Sequence, residues 1–242
     1  MLTRTEFRLR DQGTVIGFLW TLLHPLFIFV ILYKLFTTWM TPMIPDYAGC
    51  LLIGIVQWNF FSSATSAGLT SLRRKAGLIS SYSFPRVIVV LSSVFAVLLS
   101  HLLEWLVLLA ALLALGVRPT LLWLTLPAII AVELALAVGL SCLLAVLAVE
   151  IRDLEHVWNL LLYGVFFLTP VFYTMEVVGS AARPLVARNP LGWIIEATRA
   201  AVIGGTHHPS SGLVWPAAVV AGLCAVSLSL FPRLSRDVVE KL

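Results

Sequence analysis

The sequence predicts an all-α integral membrane protein with six transmembrane helices. Three observations predict it. Of the 242 residues, 60% are hydrophobic and 12% charged, with a mean hydropathy of +1.00, so too few polar residues remain to cover a water-facing surface. The apolar residues gather into six runs, 16–36, 47–69, 87–115, 121–149, 157–173 and 213–231. Most reach the roughly 20 residues that a helix needs to cross a hydrocarbon core. The basic residues collect in alternate gaps between the runs.

Each element has its own warrant. In hydrocarbon a backbone must satisfy its own hydrogen bonds, which favours helix for every run. The two longest runs must tilt or project beyond the membrane. Recurrence of apolar runs to the C-terminus excludes a cleaved leader followed by a soluble domain. Cys50, Cys142 and Cys224 sit singly in different runs, without metal-ligand spacing, and read as small packed side chains. No metal site is expected.

Charge placement sets orientation, because cations near helix ends resist translocation. With the N-terminus inside, eleven of the 16 basic residues, among them Arg4, Arg8, Arg10, Arg73, Arg74, Lys75, Arg86 and Arg152, fall on the cytoplasmic side. Lys34, Arg118, Arg183, Arg188 and Arg199 fall outside. Both termini are therefore expected in the cytoplasm. The net charge of +4 reads as this topology signal, and neither a soluble module nor a basic groove suggests nucleic acid.

Between the second and third runs, 71–86 reads SLRRKAGLISSYSFPR. Arg73, Arg74 and Lys75 follow a helix end, and Gly77 permits a turn. Leu78, Ile79, Tyr82 and Phe84 offer an apolar surface before Pro85 opens the next helix. Such an element suits a docking surface for a soluble partner, or an interfacial anchor. The next cytoplasmic gap clusters Glu150, Arg152, Asp153, Glu155 and His156, which suits solvent or a charged partner. The N-terminal stretch, residues 1–15, alternates Arg4, Arg8 and Arg10 with Leu2, Phe7 and Leu9 and suits an anionic lipid surface.

On the outer side the sizeable segment is 174–212, and NPLGWIIEATRAAVIGG within it carries helix punctuation. Asn189 suits the N-cap, Pro190 the first turn, and Gly204 with Gly205 the stop. Leu191, Ile194, Ile195, Ala201 and Val202 share one face, with Glu196 and Arg199 paired on another. Too short to span, this helix should lie at the outer interface or dip into it.

Sugars stack on aromatic rings and hydrogen-bond through hydroxyls. Trp58, Asn59, Phe60, Phe61, Ser62 and Ser63 supply that mixture in the second run, and Tyr163, Phe166, Phe167, Thr169, Phe172 and Tyr173 in the fifth. The same aromatics also suit an interfacial belt. Inside the membrane, His101 and Glu104 are three apart on one helix face and Glu133 lies mid-run. They suit a polar path, a bridge between helices or a proton relay.

In order and wording these segments resemble the membrane subunit of polysaccharide-exporting ABC transporters, the O-antigen, capsule and teichoic-acid permeases. The resemblance covers nearly the whole chain. GFLWTLLHPL (17–26) is similar to the family's first membrane helix and GLTSLRRKAGLISSYSFPR (68–86) to its coupling helix. RDLEHVWNLLLYGVFFLTPVFY (152–173) is similar to the signature entering its fifth span, and NPLGWIIEATRAAVIGG (189–205) to its external gate helix. Lys75 stands where the family usually has Asn, and Ser81 where it has Lys.

The resemblance implies one transmembrane permease domain over 1–242, located in the bacterial inner membrane. It implies ATPase coupling through Ser71, Leu72, Arg73, Arg74, Lys75, Leu78, Ile79, Phe84, Arg152 and Asp153. A gate would carry Asn189, Pro190, Trp193, Glu196 and Arg199. The path would be lined by Trp58, Phe60, Phe61, Tyr163, Phe166, Phe167, Phe172 and Tyr173, with Arg8, Arg10, Arg73 and Arg74 placed for a diphosphate headgroup. The chain lacks GxxxxGK[ST], so ATP and Mg are expected in a separate ATP-binding subunit, two copies beneath two copies of this chain. The expected cargo is a lipid-linked polysaccharide. A permease for a drug or simple lipid, and a membrane enzyme acting on lipid-linked sugars, are the alternatives.

Overall fold

The computed structural model describes residues 15–81, 84–204 and 214–234. Among these, every regular element is helical: α1 (Val15–Met40), α2 (Tyr47–Arg74), α3 (Ala76–Ser81), α4 (Val87–Ala114), a 3-10 turn (Leu121–Thr125), α5 (Leu126–Glu150), α6 (Leu154–Leu168), α7 (Arg183–Val186), α8 (Pro190–Val202) and α9 (Val214–Leu234). Three stretches are long and apolar enough to cross a membrane, Leu23–Met40, Val87–Ala114 and Leu121–Glu150.

At the centre lies α2, flanked by α4 and α5, with α9 packed on the far side of α5 and α1 against α2. Its 28 residues include Gln57, Asn59, Ser62, Ser63, Thr65 and Thr70, polar groups that hydrocarbon would not tolerate unpaired. Its hydroxyls are returned to its own backbone: Thr65 Oγ1 donates to the Phe61 carbonyl at 2.8 Å and Ser71 Oγ to the Gly68 carbonyl at 2.6 Å. Surrounded by neighbours, the helix tolerates what a lipid-facing span would not. Most of it is buried.

Close approach of α2 and α5 depends on Gly68. A Cβ at that position would collide with Ser141, whose hydroxyl donates across to the Ala64 carbonyl at 3.3 Å. Small residues let the backbones come this near, where dispersion and interhelical hydrogen bonds take over the role that water-driven burial plays elsewhere.

The fifth run departs from expectation. Its helix begins earlier, at Leu154, and ends at Leu168, with Thr169 extended at φ −97°, ψ 134°. Pro170 explains this, since its ring disfavours helical geometry in the residue before it. The chain then turns inward rather than continuing to Tyr173, and Thr169, Pro170 and Val171 are buried. None of the 15 residues of α6 is itself buried. The fourth run also divides, into the exposed 3-10 turn and α5.

Gly68→Leu is expected to destabilise the fold by about 2 kcal/mol or more, as overpacking does at tight helix contacts. The measurement is the thermal midpoint of the purified protein in detergent. Gly68→Ala combined with Ser141→Gly should recover most of what Gly68→Ala alone loses. Equal midpoints for all variants would contradict the close helix contact.

Candidate functional site

At the N-terminal end of α2, the chain after α6 and the helix α8 are bound together by one side chain. Asn189 starts α8 as the sequence predicts, its Oδ1 accepting from the Leu191 N–H at 3.0 Å. Its Nδ2 donates to Thr169 Oγ1 at 2.7 Å, fixing the cap to the bend after α6. The helix ends at Gly204, whose φ of 77° is the left-handed conformation glycine supplies. Gly205 lies outside the described residues.

Three turns into α8, Arg199 is 1% exposed. Its Nε donates to the Cys50 carbonyl at 3.0 Å, and Nη2 to Cys50 and Val171 carbonyls at 2.9 and 2.8 Å. Nη1 donates to the Tyr173 carbonyl at 2.9 Å and to Glu196 Oε1 at 3.0 Å. A guanidinium has five N–H groups, and each has an acceptor here. Glu196 Oε1 also accepts from the Met175 N–H at 3.2 Å. Gly54 makes room, since a Cβ there would strike the Val171 carbonyl oxygen and come 2.9 Å from Arg199 Nη2.

The sequence sets the Glu196–Arg199 pair on a face apart from the apolar one, and the structure buries that face as well. The buried set of α8 includes Leu191, Ile194, Ile195, Glu196, Thr198, Arg199 and Val202, so the helix dips into the bundle. Its amphipathic spacing suggests a surface helix because periodicity counts charges as solvent-seeking. Here backbone carbonyls of the bend replace solvent. Trp193 anchors the start of α8 through Nε1 to the Ala187 carbonyl at 2.7 Å.

Beside this bend lies an aromatic patch drawn from four segments. Phe172 packs at ring-centroid distances of 5.0 Å from Phe36, 6.0 Å from Phe166 and 5.0 Å from Tyr173. Trp58 meets Phe166 edge-on at 5.4 Å. Tyr163 and Phe167 are 73% and 65% exposed. Phe60 and Phe61 are buried instead: Phe60 stacks on His101 at 4.3 Å and Phe61 joins the main core.

Deeper in the bundle, polar residues of α2, α4, α5 and α8 converge. Asn59 Nδ2 reaches both oxygens of Glu104 at 3.1 and 3.2 Å. His101 lies 3.9 Å from Glu104 and 4.0 Å from Glu133. Gln57 sits between Glu133 and Thr198. The sequence marks His101, Glu104 and Glu133 through charge in an apolar run; Gln57 and Thr198 carry no such mark, and only their completely buried placement singles them out.

At the opposite end of α2, the segments after α2 and after α5 touch. Arg73 Nη1 donates to the Arg152 carbonyl at 3.2 Å, and Lys75 Nζ to Ser92 Oγ at 3.1 Å. Ser71, Leu72 and Ile79 are buried, while Arg73, Arg74, Arg152 and Asp153 are exposed and Lys75, Leu78 and Phe84 half-buried. Tyr82, Arg8, Arg10 and the N-terminal interface segment as far as residue 14 lie outside the described residues.

The profile of the ABC-2 type transporter family matches residues 1–203. The chain belongs to that family. Among curated relatives, the O-antigen export system permease protein RfbA of Klebsiella pneumoniae is 28% identical over 236 residues, covering 97% of this chain and 90% of the relative. Its namesake from Myxococcus xanthus is 27% identical over 243 residues, covering 100% and 94%. For an ABC-2 permease, an inward-turned bend at one end of a buried rod and a cationic surface at the other place two distinct chemistries at opposite ends of α2.

Arg199→Ala is expected to cost about 3 kcal/mol or more, because Glu196 then lies buried without its cation and the bend's carbonyls lose their donors. Arg199→Lys should recover only part, having fewer donors and no planar fork. Thermal unfolding in detergent measures both. A wild-type midpoint for Arg199→Ala would contradict the anchoring role.

Proposed function

We propose that this chain is the permease subunit of an ATP-driven exporter that carries a lipid-linked polysaccharide of O-antigen type across the bacterial inner membrane. The observation that carries the reading is similarity over nearly the full chain to O-antigen export permeases. The patch around Phe172 supports it, since clustered rings with exposed members suit sugar C–H faces without forming a tight pocket.

In this reading α1, α2, α4, α5, α6 and α9 cross the membrane with both termini in the cytoplasm, and α8 is the outer gate. Two copies of the chain sit above two copies of an ATP-binding subunit, which holds ATP and Mg. The exposed side of α6, including Leu160, Tyr163 and Phe167, supports a second copy bordering the path. Closure of the ATP-binding subunits pushes on α3 and the exposed part of the Arg73–Arg152 junction. Tilt of α2 carries the movement to α8, because α2 is a continuous helix from one to the other. Arg73 and Arg74 face the entry side, where they would attract the diphosphate headgroup, together with Arg8 and Arg10.

The test uses the chain co-reconstituted with its ATP-binding subunit. Lipid-linked glycan should stimulate ATP hydrolysis and appear outside, and hydrophobic drugs should do neither. Drug stimulation would assign the chain to another branch of the family, and turnover without the ATP-binding subunit would assign it to enzymes. Arg73→Ala with Arg74→Ala should weaken apparent glycan-lipid affinity roughly thirtyfold, each surface cation contributing about 1 kcal/mol. Unchanged affinity with normal assembly would remove these two residues from headgroup binding.

A further inference from the structure

Gln57, Glu133 and Thr198 stand in line across three helices, each completely buried. The Gln57 amide lies 2.7 Å from Thr198 Oγ1 at one end and in hydrogen-bonding contact with the Glu133 carboxyl at the other. Thr198 Oγ1 is also 2.8 Å from the Ile194 carbonyl, one turn back along α8.

A hydroxyl has one hydrogen to give, so the line can run in two directions. With the amide nitrogen toward Glu133, Gln57 donates to the carboxylate, accepts from Thr198, and the Ile194 carbonyl loses the hydroxyl. With the nitrogen toward Thr198, Gln57 donates to that hydroxyl, which keeps its bond to Ile194, and Glu133 supplies a hydrogen to Gln57. Both directions tie α8 to α5 through α2. On the far side, Trp105 Nε1 donates to His101 Nε2 at 2.8 Å. That nitrogen is therefore an acceptor and gives no hydrogen to Glu133, 4.0 Å away. Gln57 is the donor or acceptor left to Glu133 on this side of the bundle.

We propose that Glu133 and Gln57 are positioning residues for translocation, holding the gate helix shut through Thr198 while Arg199 fixes its neighbouring bend. The inference rests on reading α8 as the gate. Arg199 binds the bend and, through the Cys50 carbonyl, the first turn of α2; the Gln57 line binds α8 and α2 to α5. Parting of α8 together with the adjoining turn of α2 from α5 breaks the line at Gln57 and Glu133 and leaves the bonds of the guanidinium in place.

The test uses the full chain assembled with its ATP-binding subunit, carrying Ala200→Cys on α8 as a reporter for a membrane-impermeant maleimide applied outside. Thr198→Val, isosteric and without the hydroxyl, and Glu133→Leu should each raise the labelling rate on the order of threefold, the factor a membrane-buried side-chain hydrogen bond carries. ATP hydrolysis should persist as export falls. Glu133→Gln and Thr198→Ser should behave as wild type, since a glutamine can present either an N–H or a carbonyl to Gln57. Unchanged labelling in Thr198→Val, or Glu133→Gln failing as Glu133→Leu does, overturns the proposal. Raised labelling in these variants when the unsubstituted chain itself exports no glycan-lipid would preserve the latch and sink the transport reading instead.

Discussion

Removal of water from the interior makes every buried polar group dependent on a protein partner, and Arg199 meets that demand completely. Its acceptors come from α2, the bend after α6, and α8 itself. Separating any of these segments leaves some of its N–H groups without an acceptor, so one charge ties three elements together. The rest of that end of the bundle follows: Gly54 lets the bend approach, Pro170 creates the bend, and Asn189 clamps it to the start of α8.

The same demand explains the composition of α2. A helix facing lipid could not carry Gln57, Asn59 and a row of hydroxyls, but one enclosed by α4, α5 and α8 can pass them to neighbours or to its own backbone. Its 28 residues span roughly 42 Å at 1.5 Å per residue, from the bend to the Arg73–Arg152 junction. Its two ends carry different chemistry, polar contacts to the bend at one and exposed cations at the other.

Much of this was legible in the sequence, and the failures share one cause. Helical class, the N-cap at Asn189 and the stop at Gly204 follow from local chemistry, which the surroundings do not override, whereas Gly77, expected at a turn, lies inside α3 and the break falls at Lys75. The fifth run was read through Tyr173 because hydropathy sees Val171 and Phe172 and is blind to the backbone effect of Pro170. The inward turn of Glu196 and Arg199 was unreadable, because the acceptors that replace water are carbonyls, which every residue possesses and no sequence advertises. Gln57 and Thr198 were missed for a related reason: an uncharged polar residue in an apolar run stands out only once its partner's position is known.

Packing divides the chain into parts of unequal firmness. α2, α4, α5 and α9 interlock along their lengths, whereas α6 buries none of its residues and α1 is attached chiefly to α2. Elements with few buried contacts open at lower free energy than those in the core. The aromatic patch sits on that boundary, with Phe36 on α1 and Phe166 on α6 touching Phe172 of the bend. Parting the rings there loses only dispersion and ring-edge attraction, whereas parting the segments around Arg199 leaves buried N–H groups and a carboxylate unpaired, so the patch is the softer side of the bend.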